Sequence, residues 1–208
     1  MKNNYGYHKF EITIAFFVIL LVSFFIAHSF FEKKDPVNFY SMRESAGTFS
    51  HSALANMNSV HDMSHVYLQE LIDLKLIKPI KNPVSGGKCN PEESKVDFIV
   101  DHNYVTLKCG EYLIDKERIT DDLKCPVYKV SEWSREKPDV TYYEEKELYN
   151  CIKDNKLVYS KYYEDYYLVY LLNKKYNTDY FSIKDIEDKV CKLDKKMFYR
   201  TKEVVNEN

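Results

Sequence analysis

Ile12-Thr13-Ile14-Ala15-Phe16-Phe17-Val18-Ile19-Leu20-Leu21-Val22-Ser23-Phe24-Phe25-Ile26-Ala27-His28-Ser29-Phe30-Phe31 contains no charged side chain. How this run is read decides how the rest of the chain is placed. At ~1.5 Å per helical residue it reaches ~30 Å, the thickness of a bilayer's hydrocarbon core. A cleavable secretory signal has an apolar region of about 7–15 residues. Ala27-His28-Ser29 offers a small-x-small cleavage site, but two phenylalanines and Glu32-Lys33-Lys34-Asp35 follow it. A retained single-pass span is therefore the leading expectation, with a cleaved signal as the alternative. Lys2 and Lys9 before the run, against Lys33, Lys34 and Arg43 after it, give no charge bias for a cytoplasmic N-terminus.

Glu11 stands at the mouth of this run. A carboxylate at the edge of hydrocarbon is disfavoured unless paired. It either sits among headgroups or meets a cation, most simply the free amine of another chain's first residue. Upstream, Lys2 and Gly6 form a short leader, and Tyr7-His8-Lys9-Phe10-Glu11 places an aromatic residue first after the glycine and the glutamate fifth. From Lys2 to Phe31 the sequence resembles the N-terminal segment of type IV prepilins and pseudopilins. The resemblance implies cleavage after Gly6 by a prepilin peptidase, a mature chain beginning at Tyr7, and Glu11 as the residue that sets assembly with copies of itself or other pilin-like subunits. His8 and Lys9 depart from the small or apolar residues usual there, and Lys9 offers Glu11 an internal partner.

About 173 residues follow from Pro36 onward, enough for one domain with its own core. A net charge of −2 gives no electrostatic reason to expect a nucleic-acid partner. The tyrosines lack stacking spacing beside basic residues and read as core and strand residues, with an adhesive or glycan-binding face left open. The five cysteines contain no Cys-x-x-Cys pair, so no zinc site is expected. In an exported head they oxidise and leave one over. Cys89 and Cys109 flank two expected strands, and a bridge between them closes a loop of about 20 residues, for which chain entropy gives ~3 kcal/mol. Cys151 with Cys191 and a spare Cys125 complete one hypothesis, and other pairings stay open.

Along the chain, Phe39, Met42, Ala46, Phe49, Ala53, Leu54 and Met57 form one helical stripe within residues 37–60. A second helix is expected over 66–74. The segment 82–91, with two prolines and Gly86-Gly87, is a breaker. Strands are expected over 95–100, 104–107, 112–114 and 127–133, with a hairpin turn at Asp101-His102-Asn103. Residues 142–153 read as helix, 158–172 as either a long helix or a pair of strands, 183–187 as a helix capped by Ser182, and 196–200 as a final strand.

Chemistry is sparse. His61-Asp62-Met63-Ser64-His65 lacks the glutamate a zinc protease needs, so a loop or capping role is expected. Ser85-Gly86-Gly87-Lys88 lacks the spacing of a phosphate loop. Asp97, Asp101, Asp121 and Asp122 lack EF-hand spacing. No catalytic residues, metal or cofactor are expected.

The expected fold is α+β: an N-terminal transmembrane helix continuing into an amphipathic helix, packed on a small antiparallel β-sheet head with additional C-terminal helices. The expected domains are a leader over 1–6, a transmembrane segment over 7–35 and an extracytoplasmic pilin-like domain over 36–208. The expected function is a non-enzymatic pilin-like or pseudopilin subunit of a type IV pilus, type II secretion or DNA-uptake filament, held in the cell membrane. The alternative is a monomeric, membrane-anchored ectodomain that binds a ligand, glycan or envelope partner. A third reading is an exported enzyme with unrecognised catalytic residues.

Overall fold

The computed structural model describes residues 39–60, 64–99, 102–119 and 124–205, together with 14, 16–19 and 21–23. The chain divides into Met1–Asn38 and Phe39–Asn208. In the first unit the described residues are helical and exposed. Among the described residues no helix is long and apolar enough to cross a membrane. This corrects the expected transmembrane helix and the single-pass location in the cell membrane. A span needs ~20 consecutive, predominantly apolar helical residues. The longest described helix, α1 (Phe39–Ala55), has 17 and includes Arg43 and Glu44. Gly6, Tyr7 and Glu11 lie outside the described residues.

Among the described residues the second unit is built on one antiparallel sheet of eight strands with few, short helices, which corrects the expected small head sheet with additional C-terminal helices. In chain order, α1 leads through a 3-10 turn (Met57–Ser59) to β1 (His65–Tyr67) and α2 (Leu68–Asp73). Next come β2 (Lys95–Ile99), β3 (His102–Cys109), β4 (Tyr112–Glu117), β5 (Tyr128–Val130), β6 (Tyr143–Lys153) and β7 (Lys156–Leu157). The chain closes with α3 (Asp165–Tyr176), α4 (Ile183–Lys189) and β8 (Lys192–Val204). The strands lie in the order β1-β2-β3-β4-β5-β8-β6-β7.

The largest departure from expectation is β6. Residues 142–153 carry helix-favouring Glu, Lys and Leu, yet they pair with β8 from Tyr143↔Thr201 to Ile152↔Lys192. Strand preference is a matter of cross-strand packing rather than local composition, and β8 lies too far along the chain to be seen locally. Lys153 turns back to Lys156 through Asp154 and Asn155, both in the left-handed region, as a tight hairpin requires. Likewise 66–74 is not all helix: His65–Tyr67 pairs with β2 and the helix starts at Leu68. Residues 158–172 resolve into irregular chain followed by α3.

Two cores result. The first gathers Met42, Ala46, Phe49 and Ala53 of α1 with Val66, Leu68, Leu71, Val96, Val105, Leu107 and Ile114. The second joins Cys151 of β6 to Leu168, Val169 and Leu172 of α3, Ile186 of α4 and Cys191. Each core holds one disulfide, Cys89–Cys109 and Cys151–Cys191, the two pairs considered from the sequence. Cys125 is a free, buried thiol. β8 spans both regions: residues 202–204 pair with β5 and 192–201 pair with β6.

Candidate functional site

Where β8 passes from one core to the other, three loops converge over β6 and β8, and each is tied to the sheet. The first, residues 90–94, leaves the disulfide at Cys89. The Asn90 amide donates to Lys108 O (2.7 Å), and the Ser94 hydroxyl donates to Asn90 O (2.6 Å) while accepting from the Lys108 amide. The second, residues 131–135, is fixed by reciprocal backbone bonds between Ser134 and Tyr199 of 2.9 and 2.8 Å. The third, residues 160–164, is fixed by reciprocal bonds between Tyr149 and Tyr163. Together they enclose a cleft of about 370 Å³ lined by Glu92, Glu93, Trp133, Arg135, Lys146, Lys161, Tyr162, Tyr163, Glu164 and Phe198, among others.

The floor follows from strand alternation. Successive side chains of a strand point to opposite faces, and paired residues share a face. The pairings Glu144↔Arg200 and Lys146↔Phe198 therefore put these four side chains together. Arg200 is buried; its Nε donates to Glu144 (2.6 Å) and its Nη1 to Glu93 (3.4 Å). Lys202 donates to Glu144 (2.6 Å) and to Asp115. Burial raises the Glu144 carboxyl pKa, but the bonds and charges of Lys202 and Arg200 outweigh it and hold it below the usual range. Trp133 lies against the same group. Its indole Nε1 donates to Glu93 (3.2 Å), and the Arg200 guanidinium carbon lies 4.3 Å from the ring centre, a cation–π distance.

Glu164, the N-cap position of α3, closes the other wall. Lys146 donates to it at 2.7 Å and Lys95 of β2 at 3.0 Å. Burial works against its charged form, yet the two lysines hold its pKa down to about 2. In turn, burial lowers the Lys95 ammonium while Glu164 and Asp97 outweigh it, so its pKa is raised. Asp97 also meets His65 Nδ1 at 2.6 Å. Across the rim Lys161 bridges to Glu92 (2.7 Å), and Glu132 lies 3.6 Å from the buried Lys108. No buried side-chain nitrogen or oxygen among the described residues lacks a partner. The floor is therefore held in shape by its own bonds, the preorganisation that favours binding.

Of the residues considered from the sequence, Cys89 stands beside the first loop, while Cys151 and Cys191 pin the second core. His65 and Asp97 serve the ion-pair chain behind Glu164. His61, Asp62, Asp101, Asp121 and Asp122 lie outside the described residues. No group of three or more His, Cys, Asp or Glu among the described residues is placed to hold a metal ion. Sequence reading missed the cleft itself. Its one legible sign was Trp133, the chain's single tryptophan, set in a loop between Glu132 and Arg135. Compared with protein-family models, curated proteins and solved structures, the chain matches none.

Proposed function

We propose that Phe39–Asn208 is an exported, disulfide-stabilised binding domain whose cleft takes a small polar ligand with an apolar ring face, a glycan being the best fit. The observation that carries this reading is the seam cleft, where ring surfaces of Trp133, Tyr162, Tyr163 and Phe198 stand beside charged side chains on a fixed floor. Ligand sites combine apolar and aromatic lining with a few fixed polar groups, and sugars present one CH-rich face and an edge of hydroxyls. Export is supported by two disulfides, which persist in oxidising compartments. Because Trp133 is the only tryptophan, its fluorescence reports on the cleft directly. Titration with a panel of neutral and charged oligosaccharides is expected to change Trp133 emission saturably and to raise the melting temperature. A folded domain indifferent to the whole panel on both readouts overturns the reading.

A pilin-like subunit is the second proposal, supported by the Gly6-Tyr7 to Glu11 spacing alone. Intact-mass and N-terminal peptide mapping of the native protein tests it: a chain starting at Tyr7 supports it, and one starting at Met1 rejects it.

A further inference from the structure

The cleft's charges are unevenly committed, and the imbalance identifies the class of ligand. Each lining carboxylate faces a lysine or arginine within 4 Å: Glu92, Glu93, Glu132 and Glu164 are all matched. Of the three lining cations, Lys146 and Lys161 are bound to two of those carboxylates. Arg135 is the third. Its guanidinium carbon lies 5.3 Å from the centre of the Tyr162 ring and 5.9 Å from that of Phe198, and among the described residues no acid stands at ion-pair distance from it. Its charge is felt by Asp194, which accepts from the Tyr162 hydroxyl and lies 3.4 Å from Lys196. The guanidinium is thus packed over two aromatic rings, and no acid among the described residues takes up its fork of N–H donors. A planar fork of donors matches a carboxylate in two parallel hydrogen bonds, a geometry that lysine cannot reproduce.

We infer that the cleft selects an acidic sugar, a pyranose ring bearing a carboxylate that pairs with Arg135 while the ring lies along the aromatic lining. This rests on the glycan reading above and deepens it. A neutral sugar uses the same lining but leaves Arg135 without its anion, so discrimination between the two belongs to one side chain.

The experiment compares three probes by Trp133 fluorescence on the full chain: trigalacturonate, neutral galactotriose, and an acetylated dipeptide acid as a carboxylate without a sugar ring. Trigalacturonate is expected to bind about tenfold more tightly than galactotriose at low salt, the scale of one hydrogen-bonded charge pair. The preference shrinks as salt rises, because the pair is exposed. In Arg135→Gln the two sugars are expected to bind alike, and in Arg135→Lys only part of the preference returns. Equal binding of both sugars to the unaltered protein, or an Arg135→Gln variant that keeps the preference, overturns the carboxylate pairing and leaves the glycan cleft standing. If the dipeptide acid binds as tightly as trigalacturonate, the sugar ring is not what is recognised and the inference fails. If neither sugar binds to folded protein, the underlying glycan reading fails with it.

Discussion

The two cores are closed in the same way and filled differently. Among the described residues the first core holds fifteen buried residues, largely aliphatic side chains of α1, α2 and the four strands β1–β4, around a bridge spanning 20 residues. The core of β6, α3 and α4 holds six, edged by half-buried tyrosines such as Tyr149, Tyr159 and Tyr163, around a bridge spanning 40. Fewer fully buried apolar groups mean less area removed from water at ~25 cal/mol per Å². A longer loop means more unfolded-state entropy removed by its bridge, about 4 kcal/mol against about 3 for the shorter one. The first region stands on packing; the second leans on its covalent link and on the ion pairs at the seam.

Removing the bridges one at a time is the most severe test of that contrast. Cys151→Ala/Cys191→Ala is expected to cost about 4 kcal/mol and Cys89→Ala/Cys109→Ala about 3. Hydrogen exchange should show the first variant losing amide protection across β6, α3 and α4 while β2–β4 keep theirs. Loss of protection in both regions at one denaturant concentration would mean that they unfold as a single unit and that the contrast in filling has no thermodynamic consequence.

A smaller effect is expected at the seam. Glu164→Gln leaves Lys95 and Lys146 facing a neutral amide, and breaking a buried pair in this way costs about 3 kcal/mol. The pH dependence follows from the depressed pKa. Folded Glu164 binds a proton less readily than the unfolded chain does, so its contribution is present above the ordinary carboxyl value of 4.5 and is lost as pH falls through about 2. Chemical denaturation of both proteins between pH 7 and pH 2 should show the gap between them wide at neutral pH and closing in acid. A gap constant across that range would assign the cost to lost packing rather than to charge.

How much of this was visible in the sequence varies with the range of the interactions involved. The stripe Met42, Ala46, Phe49 and Ala53 marked α1 because a helix reads its own neighbours. Strands β2, β3 and β4 were visible because each is joined to the next by a short connection. β6 was not: Glu144, Glu145, Lys146 and Glu147 favour a helix locally, and only pairing with Arg200, Tyr199, Phe198 and Met197 makes them a strand. The cleft was hidden for the same reason, since Glu93, Trp133, Lys146, Glu164 and Arg200 are drawn from five separate stretches of chain. A long apolar run is a strong local signal, yet the sheet, which local signals underread, dominates the described structure.

The least effect separates local fraying from regional loss within the weaker core. Ser182 is extended (φ −141°, ψ 157°), and its hydroxyl accepts from the Asp185 amide at 3.2 Å while donating to the Asp185 carboxylate at 2.7 Å. This reciprocal arrangement satisfies an amide that the first turn of α4 leaves without a helical partner. Ser182→Ala is expected to cost about 1 kcal/mol, and Ser182→Gly only a few tenths beyond the original residue. In a chain of this size that is about 2–4 °C in melting temperature. Because α4 contributes Ile186 to the second core, exchange should quicken first at the amides of 183–186 and leave β6 untouched. If β6 and α3 lose protection along with α4, then Ile186 is a keystone rather than a lid. The second core would then be too thin to tolerate the fraying of one seven-residue helix, and its bridge would be holding together elements that packing alone does not.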